Sequence, residues 1–235
     1  MMASRALASI AISRDDYLKV YDRIIGQAQD KVILHWLGDM FDPALRGYWG
    51  HADAAKATDV CLSIMADHAN RVDGIKISLL DKEKEISMRR RLPAGIRMYT
   101  GDDFNYPELI AGSGQEYSDA LLGIFDAIAP AASSALAALQ RGDHAEYESI
   151  LAPTVPLSRH IFKAPTQFYK TGVVFMAYLN SHQPNFTMVG GQESARSAVH
   201  LSHIFRLADE AGLLNDPDVA AARMKAVLNV HGIDC

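Results

Sequence analysis

Three short apolar runs, KVILHWL at 31–37, VDGIKIS at 72–78 and GIRMYT at 95–100, are each separated from the next by a segment with helical spacing. Short strands alternating with helices cannot pair as hairpins, so the pattern predicts βα units joined by right-handed crossovers into a parallel α/β sheet. Ahead of the first run, Tyr17, Val20, Tyr21, Ile24 and Ile25 recur at three- and four-residue intervals behind the capping candidates Ser13 and Asp15, which predicts a helix over 15–29. Between the first two runs, Val60, Cys61, Ile64, Met65 and His68 share one face of a helix over 53–70, with Asn70 as its stop. Short helices are expected over 81–91, ahead of Pro93, and within 102–112. Residues 115–118 are the candidate for a fourth strand, although they are polar for a central position. Residues 1–4 would be the end of an earlier one.

From Ala120 the character changes to successive helical segments broken by Pro, Gly or Asn. The expected organisation is a parallel α/β region over 1–130, which the resemblance described below makes a partial barrel, and a helical region over 131–235 packing on it as one structural domain. A chain of 235 residues that is 49% hydrophobic can bury a substantial core. The net charge of −5 and the single short arginine cluster at 89–91, read as a solvated helix end, leave nucleic acid no electrostatic footprint. Two cysteines, Cys61 and Cys235, do not make a disulfide framework, which fits a reducing cytoplasm. No apolar run reaches membrane-spanning length.

In parallel α/β folds, chemistry collects at the carboxyl ends of the strands. His35 and Trp36 close the first run, Lys76 and Ser78 the second, and Thr100, Gly101, Asp102 and Asp103 follow the third. Alternation along a strand puts Gly74, Lys76 and Ser78 on one face and Ile75 and Ile77 on the other. Gly74 would leave room beside the lysine stem. A partly desolvated amine at such a position favours the neutral form that attacks carbonyl carbon, which is Schiff-base chemistry. A lysine that packs its stem along the sheet and carries its head to water satisfies the strand equally well. A third possibility is a divalent metal held by Asp39, Asp42, His51, Asp102 and Asp103, although GDMFDP and GDD also suit turns and helix caps.

The order HWLGDMFDP, DGIKISLLD, MRRRLP, MYTGDDFNYPELIAG resembles the later half of the dihydrodipicolinate synthase/N-acetylneuraminate lyase superfamily. In particular it resembles a bacterial branch classed as a domain of unknown function, which carries these motifs nearly as they stand. The resemblance covers essentially the whole chain. It implies a (β/α)8-barrel class I aldolase or lyase, with Lys76 of Gly74-Ile75-Lys76 as the Schiff-base residue on the sixth strand and Gly101-Asp102-Asp103 after the seventh. Members end the fifth strand with a tyrosine that relays a proton. Here His35 stands there, and an imidazole could take that role or simply be hydrogen-bonded in the barrel mouth.

The expected site is thus Lys76 and His35 as catalytic residues, with Trp36, Ser78, Gly101, Asp102 and Asp103 binding substrate and no cofactor or resident metal. The substrate class is a small keto acid or aldehyde. The early strands of the superfamily have no counterpart in 235 residues of which so many are helical, so the chain is expected to be an incomplete barrel, strands five to eight, with weak or no lyase activity. It would form homo-oligomers or pair with a complementary half. The other readings are a non-catalytic barrel fragment or partner subunit, and a metal-assisted lyase of the class II kind.

Overall fold

The computed structural model describes residues 1–114 and 116–234, which fall into two compact units, Met1–Leu122 and Gly123–Cys235. In the first, strands β1 (Val32–Leu37), β2 (Val72–Ser78), β3 (Arg97–Thr100) and β4 (Asp119–Ala120) form one parallel sheet in the order β1-β2-β3-β4. Helices α1 (Arg5–Ile10), α2 (Arg14–Gln27), α3 (Ala54–Asp67), α4 (Lys82–Arg89) and α5 (Tyr106–Ala111) alternate with them. The expected parallel α/β arrangement is therefore present.

Local chemistry starts and stops these elements. Asp53 caps α3 by accepting the Lys56 amide at 2.9 Å, and Asp81 caps α4 by accepting the Lys84 amide at 3.2 Å. Tyr17, Tyr21 and Ile25 of α2 and Val60, Cys61, Ile64 and Met65 of α3 bury their apolar stripe against Leu34, Trp36, Ile75 and Ile77. One face of the sheet is thereby covered. The β1–β2 register shifts between Val32 and Ile33, so that Asp73 has no partner residue and the following pairs run Ile33 with Gly74 through to Leu37 with Ser78. That shift sets His35 opposite Lys76.

Three expectations change. Residues 1–4 are not a strand; they lead into α1, which Ser4 caps by accepting the Leu7 amide. The fourth strand lies at Asp119–Ala120, not at 115–118, of which Gln115 falls outside the described residues. Ser113 and Glu116 bridge antiparallel around a turn whose Gly112 has φ +59° and no room for a β-carbon beside the Glu116 carbonyl. The chain therefore doubles back before it can pair with β3. The arginine cluster does end α4, but its members are engaged: Arg89 reaches Ser118, Arg90 pairs with Glu116 and Arg91 with Asp59.

The second unit is helical: α6 (Ile124–Ala127), α7 (Ala129–Gln140), α8 (His144–Leu151), α9 (Val155–Phe162), α10 (Tyr169–Leu179), α11 (Ala198–Glu210) and α12 (Pro217–Val230). Small residues set how closely these helices approach. Ala132, Ala135 and Ala138 form the buried stripe of α7. A β-carbon on Gly172 of α10 would stand 3.0 Å from Ile161 of α9 and from Ile204 of α11.

Candidate active site

The sheet register brings His35, Lys76, Tyr99 and Asp119 into one row across all four strands. In parallel strands, residues paired in register project to the same side, so this row lies on the face opposite Ile75 and Ile77. Lys76 is half-buried at its centre. Its neighbours are tightly set. A β-carbon added to Gly101 would stand 2.8 Å from Lys76 Cε and would overlap Ser78 Oγ. The Gly101 amide itself donates to the Ile77 carbonyl at 2.7 Å. The lysine stem therefore leans toward a turn that only glycine can form at this distance.

Below it, the space beside Gly74 is not empty, as the sequence suggests, but taken by the Tyr99 ring, whose Cε2 would lie 2.6 Å from a β-carbon there. Tyr99 donates its hydroxyl to Asp73 Oδ2 at 2.5 Å, and Arg97 donates to the same oxygen at 2.8 Å while stacking over the ring. Burial and the Asp73 bond push the phenol up to about 12, so it stays protonated, and the same phenol holds the Asp73 carboxyl below its usual range. The register shift explains the geometry: the extra residue in β2 is Asp73 itself.

Above the row, His35 Nε2 lies 3.0 Å from Ser78 Oγ and Nδ1 3.2 Å from Met2 Sδ. Burial, and then the Lys76 charge, lower its pKa to about 4. At neutral pH the ring is uncharged, and any exchange with Ser78 is between neutral partners. The turn at 101–103 carries two buried acids. Asp102 Oδ1 accepts the amides of Phe104 and Asn105, and Oδ2 accepts Asn105 Nδ2, so this carboxyl is spent on shaping the turn that opens α5. Asp103 is buried beside it.

His35, Lys76, Ser78 and Gly101 thus come together, with Asp102 and Asp103 in the adjoining turn. Trp36 does not join them. It points to the opposite face, edge-on to the Trp49 ring at 6.1 Å, and walls a separate cleft of about 350 Å³ with Asp39, Arg46, His51 and Lys84. The acids considered for a metal are engaged elsewhere, Asp39 with Arg46 and Asp42 with Arg5. Among the described residues, no group of three or more His, Cys, Asp or Glu could hold a metal ion.

Two clusters were not legible as sites in the sequence. Glu85, completely buried on α4, accepts the hydroxyl of Thr100 at 3.0 Å on Oε2 and that of Ser118 at 2.7 Å on Oε1. Arg89 donates to Ser118 Oγ at 3.0 Å, and the Asp102 amide to Thr100 Oγ1 at 3.1 Å. Burial dominates and raises Glu85 to about 7. The run KEKEISMR reads as an exposed face, and the one available signal was Met88, one turn on and on the same side. In the second unit, His160 and His200 stack with ring centroids 4.3 Å apart, and His203 lies 5.2 Å from His160. His160 and His200 are forty residues apart, a spacing that carries no motif.

Among the described residues, no helix is long and apolar enough to cross a membrane. No curated protein matches this chain. The fold is similar to the crystal structure of a protein assigned as a dihydrodipicolinate synthetase from Pseudomonas aeruginosa, with a TM-score of 0.65 at 14% identity. That match covers 86% of this chain and 62% of the other, so the chain spans less than two thirds of the structure it matches. At this identity the likeness concerns the fold. The family model described as "Protein of unknown function (DUF993)" matches residues 1–233, and the chain belongs to that family.

Proposed function

We propose that the chain carries the lysine site of a Schiff-base-forming aldolase or lyase acting on a small keto acid or aldehyde. The observation that carries this reading is the setting of Lys76: half-buried in the middle of a sheet face, wedged against Gly101, with the His35–Ser78 pair above it. Lys76 Nζ attacks the carbonyl carbon, a C–N bond forms, and the carbonyl oxygen leaves as water once it has gained two protons. The protonated imine accepts the electron pair of the bond between its α and β carbons as that bond breaks, becoming an enamine, and in the reverse sense the enamine supplies that pair as a new bond forms. In this scheme His35 moves the protons, with Ser78 Oγ, 3.0 Å from its Nε2, as the hydroxyl between it and the substrate, and the turn at 101–103 shapes the rim. On this reading the four parallel strands correspond to the later βα units of a (β/α)8 barrel, supported by the fold likeness and by the share of the matched structure that the chain spans.

The test is capture of the imine. The chain and its Lys76→Ala variant are incubated with pyruvate under sodium borohydride and their intact masses read. A pyruvate-sized increment on the wild type alone is expected. Equal masses for both would sink the nucleophile. A non-catalytic role has one observation in its favour, a sheet whose outer strands β1 and β4 have no further strand beside them among the described residues. That reading predicts no capture at any pH.

A further inference from the structure

Glu85 is a buried acid that the lysine chemistry does not use, and it reaches the turn packed against the lysine through one intervening hydroxyl, that of Thr100. Its two oxygens tie together three segments that are distant in sequence: Thr100 at the end of β3, Ser118 just before β4, and, through Ser118, Arg89 and the Leu109 carbonyl of α5. Thr100 Oγ1 also accepts the Asp102 amide, so the turn hangs from the same hydroxyl that Glu85 holds. Resting on the Schiff-base reading of Lys76, we infer that Glu85 is a positioning residue whose ionisation sets how the turn at 101–103 is held against Lys76.

The hydrogen-bond directions explain how. As a carboxylate, Glu85 only accepts, and both hydroxyls point their protons at it, leaving Thr100 Oγ1 free to accept the Asp102 N–H. As a carboxylic acid, Glu85 must donate from one oxygen. The bond to Thr100 or Ser118 then reverses, and the displaced hydroxyl proton needs another acceptor inside a buried cluster, where an unsatisfied group is costly. The charges facing Glu85 oppose one another. Asp102, from the turn after β3, favours the acid, whereas Arg89, one turn along α4 and itself facing Glu116, favours the carboxylate. Burial outweighs both, which places the transition near neutrality. The rim beside the lysine is therefore held in one hydrogen-bond pattern above that point and in another below it.

The decisive measurement is the amide resonances of Gly101 and Asp102, followed by heteronuclear NMR across the neutral range in the wild type, Glu85→Gln, Thr100→Val and Lys76→Ala. The wild type and Lys76→Ala should show one titration with a midpoint near 7. Glu85→Gln should lose it, and Thr100→Val, should Glu85→Gln not fold, should disconnect the Asp102 amide from it. Flat wild-type resonances, or a titration that survives in Glu85→Gln, would overturn the inference. Borohydride capture against pH runs alongside: Glu85→Gln should still trap pyruvate, with the pH dependence of the wild type flattened. A wild type that never traps pyruvate defeats the reading of Lys76 and leaves the amide titration to decide Glu85 by itself.

Discussion

Gly101 is the residue at which packing and chemistry meet. Its missing side chain is the space that Lys76 Cε and Ser78 Oγ occupy, so a single methyl group has nowhere to go without moving the turn or the lysine. Gly101→Ala is expected to lose about 1–3 kcal/mol in denaturant unfolding, the usual cost of overfilling a packed site. It should also lower borohydride capture at Lys76 more than stability accounts for, which comparison with a distant core variant of equal stability would establish. The same residue-level geometry separates His35 from Trp36. Neighbours along a strand project to opposite faces, so the pair ending the first run could not both have faced Lys76. The bulge that adds Asp73 was equally decisive and equally invisible in VDGIKIS.

At the scale of elements, what could be read from the sequence was whatever rests on periodicity and capping. The helices containing Tyr17–Ile25 and Val60–Met65 and the three apolar strands occur where spacing places them, to within a few residues. What escaped depends on partners far away in the chain. Strand β4 is a two-residue element whose position follows from the close approach of Gly112 to Glu116, not from its own composition, and Glu85 is buried because Thr100 and Ser118 happen to meet it. Helix α11 offers a direct check on capping. Ser197 accepts the His200 amide at 3.2 Å, and Ser197→Ala should cost about 1 kcal/mol in unfolding, with rescue by Ser197→Asp, whose charge also suits a helix N-terminus.

For the molecule as a whole, buried histidines that resist protonation weaken the fold in acid, and His200 is the one in the helical unit with the largest effect, as His35 is in the sheet-bearing unit. His200 is buried, neither ring nitrogen has a partner among the described residues, and burial, followed by the neighbouring His160, Arg196, Lys163 and His203, lowers its pKa from 6.5 to about 3. The unfolded chain binds a proton in that interval and the folded chain refuses it. This contribution is therefore complete above 6.5 and is lost as pH falls toward 3. His200→Phe should flatten the loss, measured as the denaturant midpoint of helical circular dichroism in mildly acidic buffer against neutral buffer. An acid limb unchanged in the variant would assign it to other groups.

Such a titration has a built-in spectroscopic partition. The two tryptophans of the chain, Trp36 and Trp49, are both in Met1–Leu122, where the Trp49 ring is fully buried among Tyr17, Tyr21, Tyr48 and Trp36 and its indole N–H has no partner among the described residues. The emission of Trp49 belongs to a dry aromatic cage and shifts to the red when water enters it. Tryptophan fluorescence therefore reports from the sheet-bearing unit, since Gly123–Cys235 holds no tryptophan, whereas far-ultraviolet circular dichroism draws much of its signal from the helices of that second unit. Two inexpensive optical readings thus distinguish the region that carries Lys76 from the region that carries His200.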